Sequence, residues 1–425
     1  MVVMTDSLSS RNVVGMVSSV RATVTALRRG ELTATSQVEE LARRLDGLTP
    51  AEHGFSHLDL DAAYSAAMLI DAVPPAHRSR LHGVLMPIKD LSNVAGMPTT
   101  SGSARRARLA HHNDVVVEEL LAEGVIIPGK SAAAELGLTI YTEPPGLAFP
   151  DNPLWPGRTP AGSSGGAAVL VARGILPAAH ASDGGGSIRV PAAACGVVGF
   201  KPSAPQLAAQ GFITRTVDDA AFLHGHPVGV GPRRRIGVLA EPLFAEAEVD
   251  EVVLAALASA ASVLAEAGHE VVAVDPYPEA AETFAAFRTI FTSKLAGLRG
   301  PTEGIVAWLR AHGRAVTRSQ FAEAVAHADA LSDLLVRTWD VDAIVTPMTT
   351  TAAPPPIGYF TDLEPEENFL AQTRWSPWGS LFNMSGRGAI SVPWTVAGGP
   401  PVGVHLGAIT LDDASLLQLA GELER

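Results

Sequence analysis

Short apolar runs alternate along this chain with longer stretches whose apolar positions recur at helical spacing, and this alternation limits the folds open to it. "GVLMPIKD", "GVIIPGKS", "RRIGVLAEP", "HEVVAVDPY" and "VDAIVTPMT" read as strands, while "EVVLAALASAASVLAEAG" reads as a helix between two of them. Strands exchanged with helices bury both faces of a sheet, so the expectation is an α/β protein with a largely parallel or mixed sheet. Residues near 13 to 46 carry helical periodicity, and in "GELTATSQVEELARRL" Thr33 and Ser36 are candidate caps. "GVIIPGKSAAAELG" predicts a strand, a glycine-containing turn and then a helix. There is no strong internal repeat. The proline-rich "TAAPPPIGY" at 351–359 reads as a stiff surface loop or a short linker. One continuous α/β domain over residues 1–425 is therefore expected.

Composition removes several classes of function. A net charge of −13 opposes the basic patches that nucleic-acid binding needs, so no nucleic-acid partner is expected. Cys195 is the only cysteine; it cannot form an internal disulfide, which suits a reducing compartment. The start of the chain lacks a basic segment followed by an apolar one, as a signal peptide would have. Arg173 and His180 interrupt the most apolar stretch, so no membrane span of about 18 residues is expected. The expectation from these readings is a cytoplasmic protein, away from membranes.

Three stretches carry chemistry. The first is "RTPAGSSGGAAVLVARG", residues 158–174. Its flanks belong to a packed interior rather than a linker, and it lacks the phosphate-loop patterns. Gly162 to Gly166 match G-x-S-x-G, the nucleophile elbow of α/β-hydrolases, with Ser164 as nucleophile and His405 and Asp342 as nominal partners. The second stretch is "HASDGGGSIRVPAAACGVVGFKPS", where Gly184, Gly185 and Gly186 precede Ser187. Taken alone, this run reads equally as a tight turn or as backbone N–H groups gathered for an oxyanion. The third is Lys89, one of only four lysines, at the end of an apolar strand. It is either a strand-end partner of Asp90 or a buried amine able to act as a general base. Cys195 reads as a small buried hydrophobe, and His111 and His112 as surface residues rather than metal ligands.

Together these stretches resemble the amidase signature family of serine hydrolases. The resemblance rests on "AGSSGG", "DGGGSIRVPAAACGVVGFKP" and "LHGVLMPIKD", with "GELTATSQVEELARRL", "DAIVTPM" and "PPVGVHLGAITLDDASLLQLAGELE" extending it over nearly the whole chain. It implies a single α/β/α sandwich with a mixed central sheet covered by helices on both faces. A helical lead-in would occupy about 1–46 and a catalytic core about 80–225. It also implies a Ser–cis-Ser–Lys triad: Ser187 as nucleophile, Ser163 as bridging serine on a cis peptide bond, and Lys89 as base. The N–H groups of Gly184, Gly185 and Gly186, with that of Ser187 itself, would hold the oxyanion, with Asp183 and Arg189 bracing the turn. The chain departs from the family pattern at Ala161, where a glycine is usual, at Gly184, where a β-branched residue is usual, and in a shortened link after Lys201-Pro202.

Family members hydrolyse amides, and some hydrolyse esters, ureas or carbamates, the urethanase-type members among them. A component of a tRNA amidotransferase and a non-catalytic binding protein on the same fold are the alternatives; presence of Lys89, Ser163 and Ser187 together argues against the second. No cofactor and no metal are expected, nor any partner beyond a small amide or carbamate and, at most, a second copy in a homodimer. Aromatic residues concentrate in "NFLAQTRWSPWGSLFN", and Trp375, Trp378 and Phe382 are read either as core or as lining an apolar or aryl substrate pocket.

Overall fold

A computed structural model describes residues 18–424 other than Gln206, Val228 and Ala397, so the first part of the predicted helical lead-in lies outside the described residues. Its remainder forms helices α1 (Val20–Arg29) and α2 (Ala34–Leu45). Thr33 caps α2 as expected: its hydroxyl accepts from Ser36 N at 3.1 Å, and the Ser36 hydroxyl answers at the Thr33 backbone.

Three short strands, β1 (Phe55–Leu58), β2 (Ile88–Lys89) and β3 (Gly129–Ser131), form a small sheet in the order β1-β3-β2. The large sheet has eight strands: β4 (Ala178–Asp183), β5 (Val198–Lys201), β6 (Ala209–Thr214), β7 (Arg235–Val238), β8 (Glu270–Ala273), β9 (Ala343–Pro347), β10 (Ala389–Trp394) and β11 (Val402–Ala408). Their order is β8-β7-β9-β11-β10-β5-β6-β4. β7 runs parallel to β8 and β9, and every other pairing is antiparallel, so the sheet is mixed as expected.

Strand period explains how both faces are covered. Successive residues of β11 point to opposite sides. Val404 and Leu406 join a core cluster with Leu257 of helix 251–266 and with Leu416 and Leu417 of helix 413–421. Gly403 and His405 face the other way, towards helix Arg189–Cys195; a Cβ on Gly403 would stand 2.3 Å from that of Ala193, so the helix lies directly on the strand. The result is an α/β/α arrangement whose second layer carries the residues around Ser187.

One predicted helix does not form. "AAAELG" makes only a single tight turn at Glu135–Gly137, with Leu136 at φ 53°. Its backbone pairs with distant segments instead, Ala132, Ala134 and Leu136 donating to the carbonyls of Gly54, Ser163 and Ser101, and helical periodicity cannot register that demand. "TAAPPPIGY" holds no helix or strand of regular length; its one ladder contact among the described residues is an isolated bridge from Pro356 to Arg158. Among the described residues no helix is long and apolar enough to cross a membrane.

Candidate active site

The site begins with the alternation of side chains along β2 and the residue after it. Asp90 turns towards Lys130, whose Nζ stands 3.1 Å from Asp90 Oδ1 with both groups buried, and Asp90 also accepts from the hydroxyls of Ser56 and Thr100. Lys89 therefore points the opposite way. It reaches Ser163, with Nζ 2.8 Å from Oγ, and its Nζ donates to the Ser182 carbonyl at 3.0 Å. Lys89 is 1% exposed, and its Nζ pairs with no carboxylate among the described residues. Burial pushes its amine down to about 7, against a smaller upward pull from Asp183. Of the two readings of Lys89, the strand-end pair with Asp90 is thus taken by Lys130. The Lys89 backbone N–H donates to His180 Nδ1 at 3.3 Å, so His180 Nε2 carries the proton and donates to Gln210 at 3.0 Å. Burial pushes His180 down to about 4, which keeps it neutral.

Ser163 follows a cis peptide bond from Gly162. The turn is packed too closely for side chains: a Cβ on Gly162 would meet the Tyr141 carbonyl oxygen at 2.6 Å, and one on Gly166 would meet Ala132 N at 2.4 Å. Thr142 spans the turn, its hydroxyl donating to the Ala161 carbonyl and accepting from Gly165 N. Ala161 sits at φ 62°, in the left-handed region where glycine is favoured. Helix Gly165–Ala172 then leaves the turn buried from Gly165 to Val171, as its Ala/Val sequence requires.

Ser187 stands on the turn between β4 and helix Arg189–Cys195. The centre of that turn is the buried Asp183 carboxylate, which accepts from Gly186 N at 2.6 Å, Ile188 N at 3.0 Å, Arg189 Nε and Nη2 at 2.9 Å each, and Asn383 Nδ2 at 3.0 Å. Burial opposes that charge, but Arg189, the Ile188 N–H and the nearby Lys201 together outweigh it and hold Asp183 below the ordinary carboxylate range. Arg189 is itself held by Asn383 Oδ1 at 2.7 Å and stands 3.0 Å from His405 Nε2, while His405 Nδ1 lies 3.0 Å from the Thr346 hydroxyl. Asp183 and Arg189 thus brace the turn; Asn383, His405 and Thr346 complete the brace and carry no local motif by which the sequence would reveal them.

This brace corrects two expectations. The Gly186 N–H is committed to Asp183, so the backbone donors with no acceptor among the described residues are those of Gly184, Gly185 and Ser187. The elbow reading fails too. The Ser164 hydroxyl donates to the Ser182 carbonyl at 3.4 Å, His405 is bound to Arg189 and Thr346, and Asp342 accepts from Arg235 N and the Thr410 hydroxyl. These three side chains occupy separate networks. Lys89 and Ser163 are in hydrogen-bond contact; Ser187 makes no hydrogen bond to Ser163 among the described residues.

A narrow cavity of about 70 Å³ opens on Ser187, Gly184 and Gly185. Its apolar wall is Phe244, Phe284, Phe287, Phe291 and Phe369, stacked on one another with ring centroids 5.4–6.1 Å apart. Gln372, Thr373, Ser376 and Thr139 supply polar positions. The three aromatics singled out in the sequence lie elsewhere. Trp378 is wholly buried and donates to the Glu241 carbonyl; Phe382 packs against His405 and fills the place of a side chain at Gly407. Trp375 donates to Thr351 and faces a different surface cavity. Helix periodicity is the reason: Phe369, Gln372, Thr373 and Ser376 share the face turned to Ser187, and Trp375 falls off it. Phe284, Phe287 and Phe291 did carry a signal, a stripe at helical spacing, but such a stripe reads as core until its neighbours are known.

Cys195 is buried beside the Pro160 carbonyl, and burial pushes its thiol up. His111 and His112 are exposed, and among the described residues no group of three or more His, Cys, Asp or Glu is gathered as a metal site.

The amidase family model matches residues 36–229 and 231–417, and the chain belongs to that family, the amidase signature hydrolases of amide C–N bonds. AmiB2 of Mycobacterium tuberculosis (strain ATCC 25618 / H37Rv), an amidase by name, is 32% identical over 94% of this chain and 94% of its own. A glutamyl-tRNA(Gln) amidotransferase component of Chloroflexus aggregans is 30% identical over 96% of each. Among solved structures, 6-aminohexanoate cyclic dimer hydrolase in complex with substrate superposes with a TM-score of 0.82 at 26% identity, over 97% of each chain.

Proposed function

We propose that the protein hydrolyses amides of apolar acyl groups, and aryl carbamates by the same acyl transfer, with Ser187 as nucleophile, Ser163 as proton relay and Lys89 as base. The observation that carries this reading is the buried 2.8 Å contact between Ser163 Oγ and a lysine that titrates near 7. A protonated Lys89 donates to Ser163; a neutral one presents its lone pair to the Ser163 hydroxyl while an N–H still donates to Ser182. On substrate binding the Ser187 hydroxyl turns to Ser163. Its oxygen then attacks the carbonyl, its proton passes to Ser163 Oγ, and the Ser163 proton passes to Lys89. The N–H groups of Gly184, Gly185 and Ser187 hold the oxyanion. As the C–N bond breaks, Ser163 returns a proton to the leaving amine, and Lys89 resupplies Ser163. Water then repeats the sequence on the acyl-enzyme and frees Ser187.

The phenylalanine wall supports an apolar substituent. Each methylene buried there adds up to about 0.8 kcal/mol, or about fourfold in kcat/KM. The test is a fluorophosphonate probe followed by peptide mapping, together with p-nitroanilides from acetyl to hexanoyl. Labelling at Ser187 with kcat/KM rising along the series is expected. Labelling at Ser164, no labelling, or a preference for free glutamine would overturn the proposal.

A further inference from the structure

The three glycines before Ser187 are not equivalent. Gly186 adopts φ 123°, and a Cβ there would press to 2.9 Å from Val190, so backbone and packing both require glycine. A Cβ on Gly185 would stand 3.1 Å from the Phe287 ring, and the cavity wall keeps that position bare. Gly184 is under neither demand. Its φ lies outside the left-handed region, and a Cβ there would meet only the Cβ of Ala208, at an ordinary 3.8 Å. Yet Gly184 lines the cavity at Ser187, and glycine in a position that any residue could occupy gives up chain stability for nothing local.

We infer that Gly184, with Ala208 across from it, holds open a space beside the scissile carbonyl and selects substrates that are bulky at the carbon next to it, α-branched or aryl acyl groups. This rests on the assignment of Ser187 as nucleophile. Because the Gly184 N–H belongs to the oxyanion donors, a group attached to the carbonyl carbon must pass close to its Cα. A linear acyl chain leaves this space unfilled, whereas an isobutyryl or benzoyl group occupies it.

The experiment measures kcat/KM for the p-nitroanilides of acetic, isobutyric and benzoic acids with the wild-type chain, Gly184→Val and Ala208→Leu. Ala208→Leu narrows the same space from the opposite side without touching an oxyanion donor. The readout is the benzoyl-to-acetyl ratio within each protein, so a general loss of activity cancels. Wild type should favour the isobutyryl and benzoyl anilides, and both variants should lower the ratio by roughly tenfold or more, as filling a shaped pocket does. A ratio unchanged in both variants overturns the inference, as does a wild type that cleaves neither bulky anilide. Fluorophosphonate labelling of the wild type separates the two failures: labelling at Ser187 with unchanged ratios refutes only the role of Gly184, and absence of labelling there refutes the nucleophile assignment beneath it.

Discussion

The most exposed consequence of the proposed mechanism is its dependence on pH. Lys89 must be neutral to accept a proton, and burial places its titration near 7 instead of the ordinary 10.5. At pH 7 about one half of the chains then carry a competent base, at pH 6 roughly one tenth, and at pH 5 about one hundredth. An unshifted lysine would be neutral in only a few parts in ten thousand at pH 7. We therefore expect kcat/KM for a chromogenic amide, measured at constant ionic strength, to rise tenfold per pH unit below about 7 and to level off above it. Stability supplies an independent reading. A group with a lower pKa in the folded chain than in the unfolded one leaves the unfolded chain holding more protons between the two values, so stability rises with pH there. Between pH 7 and 9, wild type should gain about 2–3 kcal/mol relative to Lys89→Met, which has no such group, in urea unfolding followed by tryptophan fluorescence. A flat rate profile from pH 5 to 9, or a limb centred near 10, would refute the reasoning. So would a stability difference that does not move with pH.

Arg189→Met should cost about 3–5 kcal/mol, because it leaves the buried Asp183 carboxylate without its counter-charge; a urea midpoint close to wild type would show that the brace does not depend on that pair. Ala161→Gly should raise stability by up to about 1 kcal/mol, since Ala161 sits at φ 62° where a Cβ is disfavoured, and a lowered midpoint would contradict this. Dialysis against EDTA should leave the rate unchanged, because in the proposed mechanism Lys89 supplies the base and backbone N–H groups the electrophile; a large loss restored by zinc would sink the triad.

Features that depend on neighbours along the chain are legible in the sequence alone. Alternation of strand and helix periods announces the mixed α/β sandwich, Thr33 its own cap, and the motifs around Lys89, Ser163 and Ser187 the family. Periodicity and turn chemistry act over a few residues, so a linear string records them. Where the signal is local but the demand is not, the reading fails. "AAAELG" has helical composition, yet its backbone N–H groups bond to Gly54, Ser163 and Ser101, and Trp375 belongs to an aromatic-rich helix but falls on the face turned from Ser187. The partner of Asp90 is Lys130 rather than its neighbour Lys89, the Gly186 N–H is taken by Asp183, and five phenylalanines from three parts of the chain meet at Ser187. Each of these turns on contacts between segments far apart in the chain. Their energies come from burial and from pairing inside a low-dielectric interior, which exist only once the layers have packed and which a residue's own neighbours do not encode.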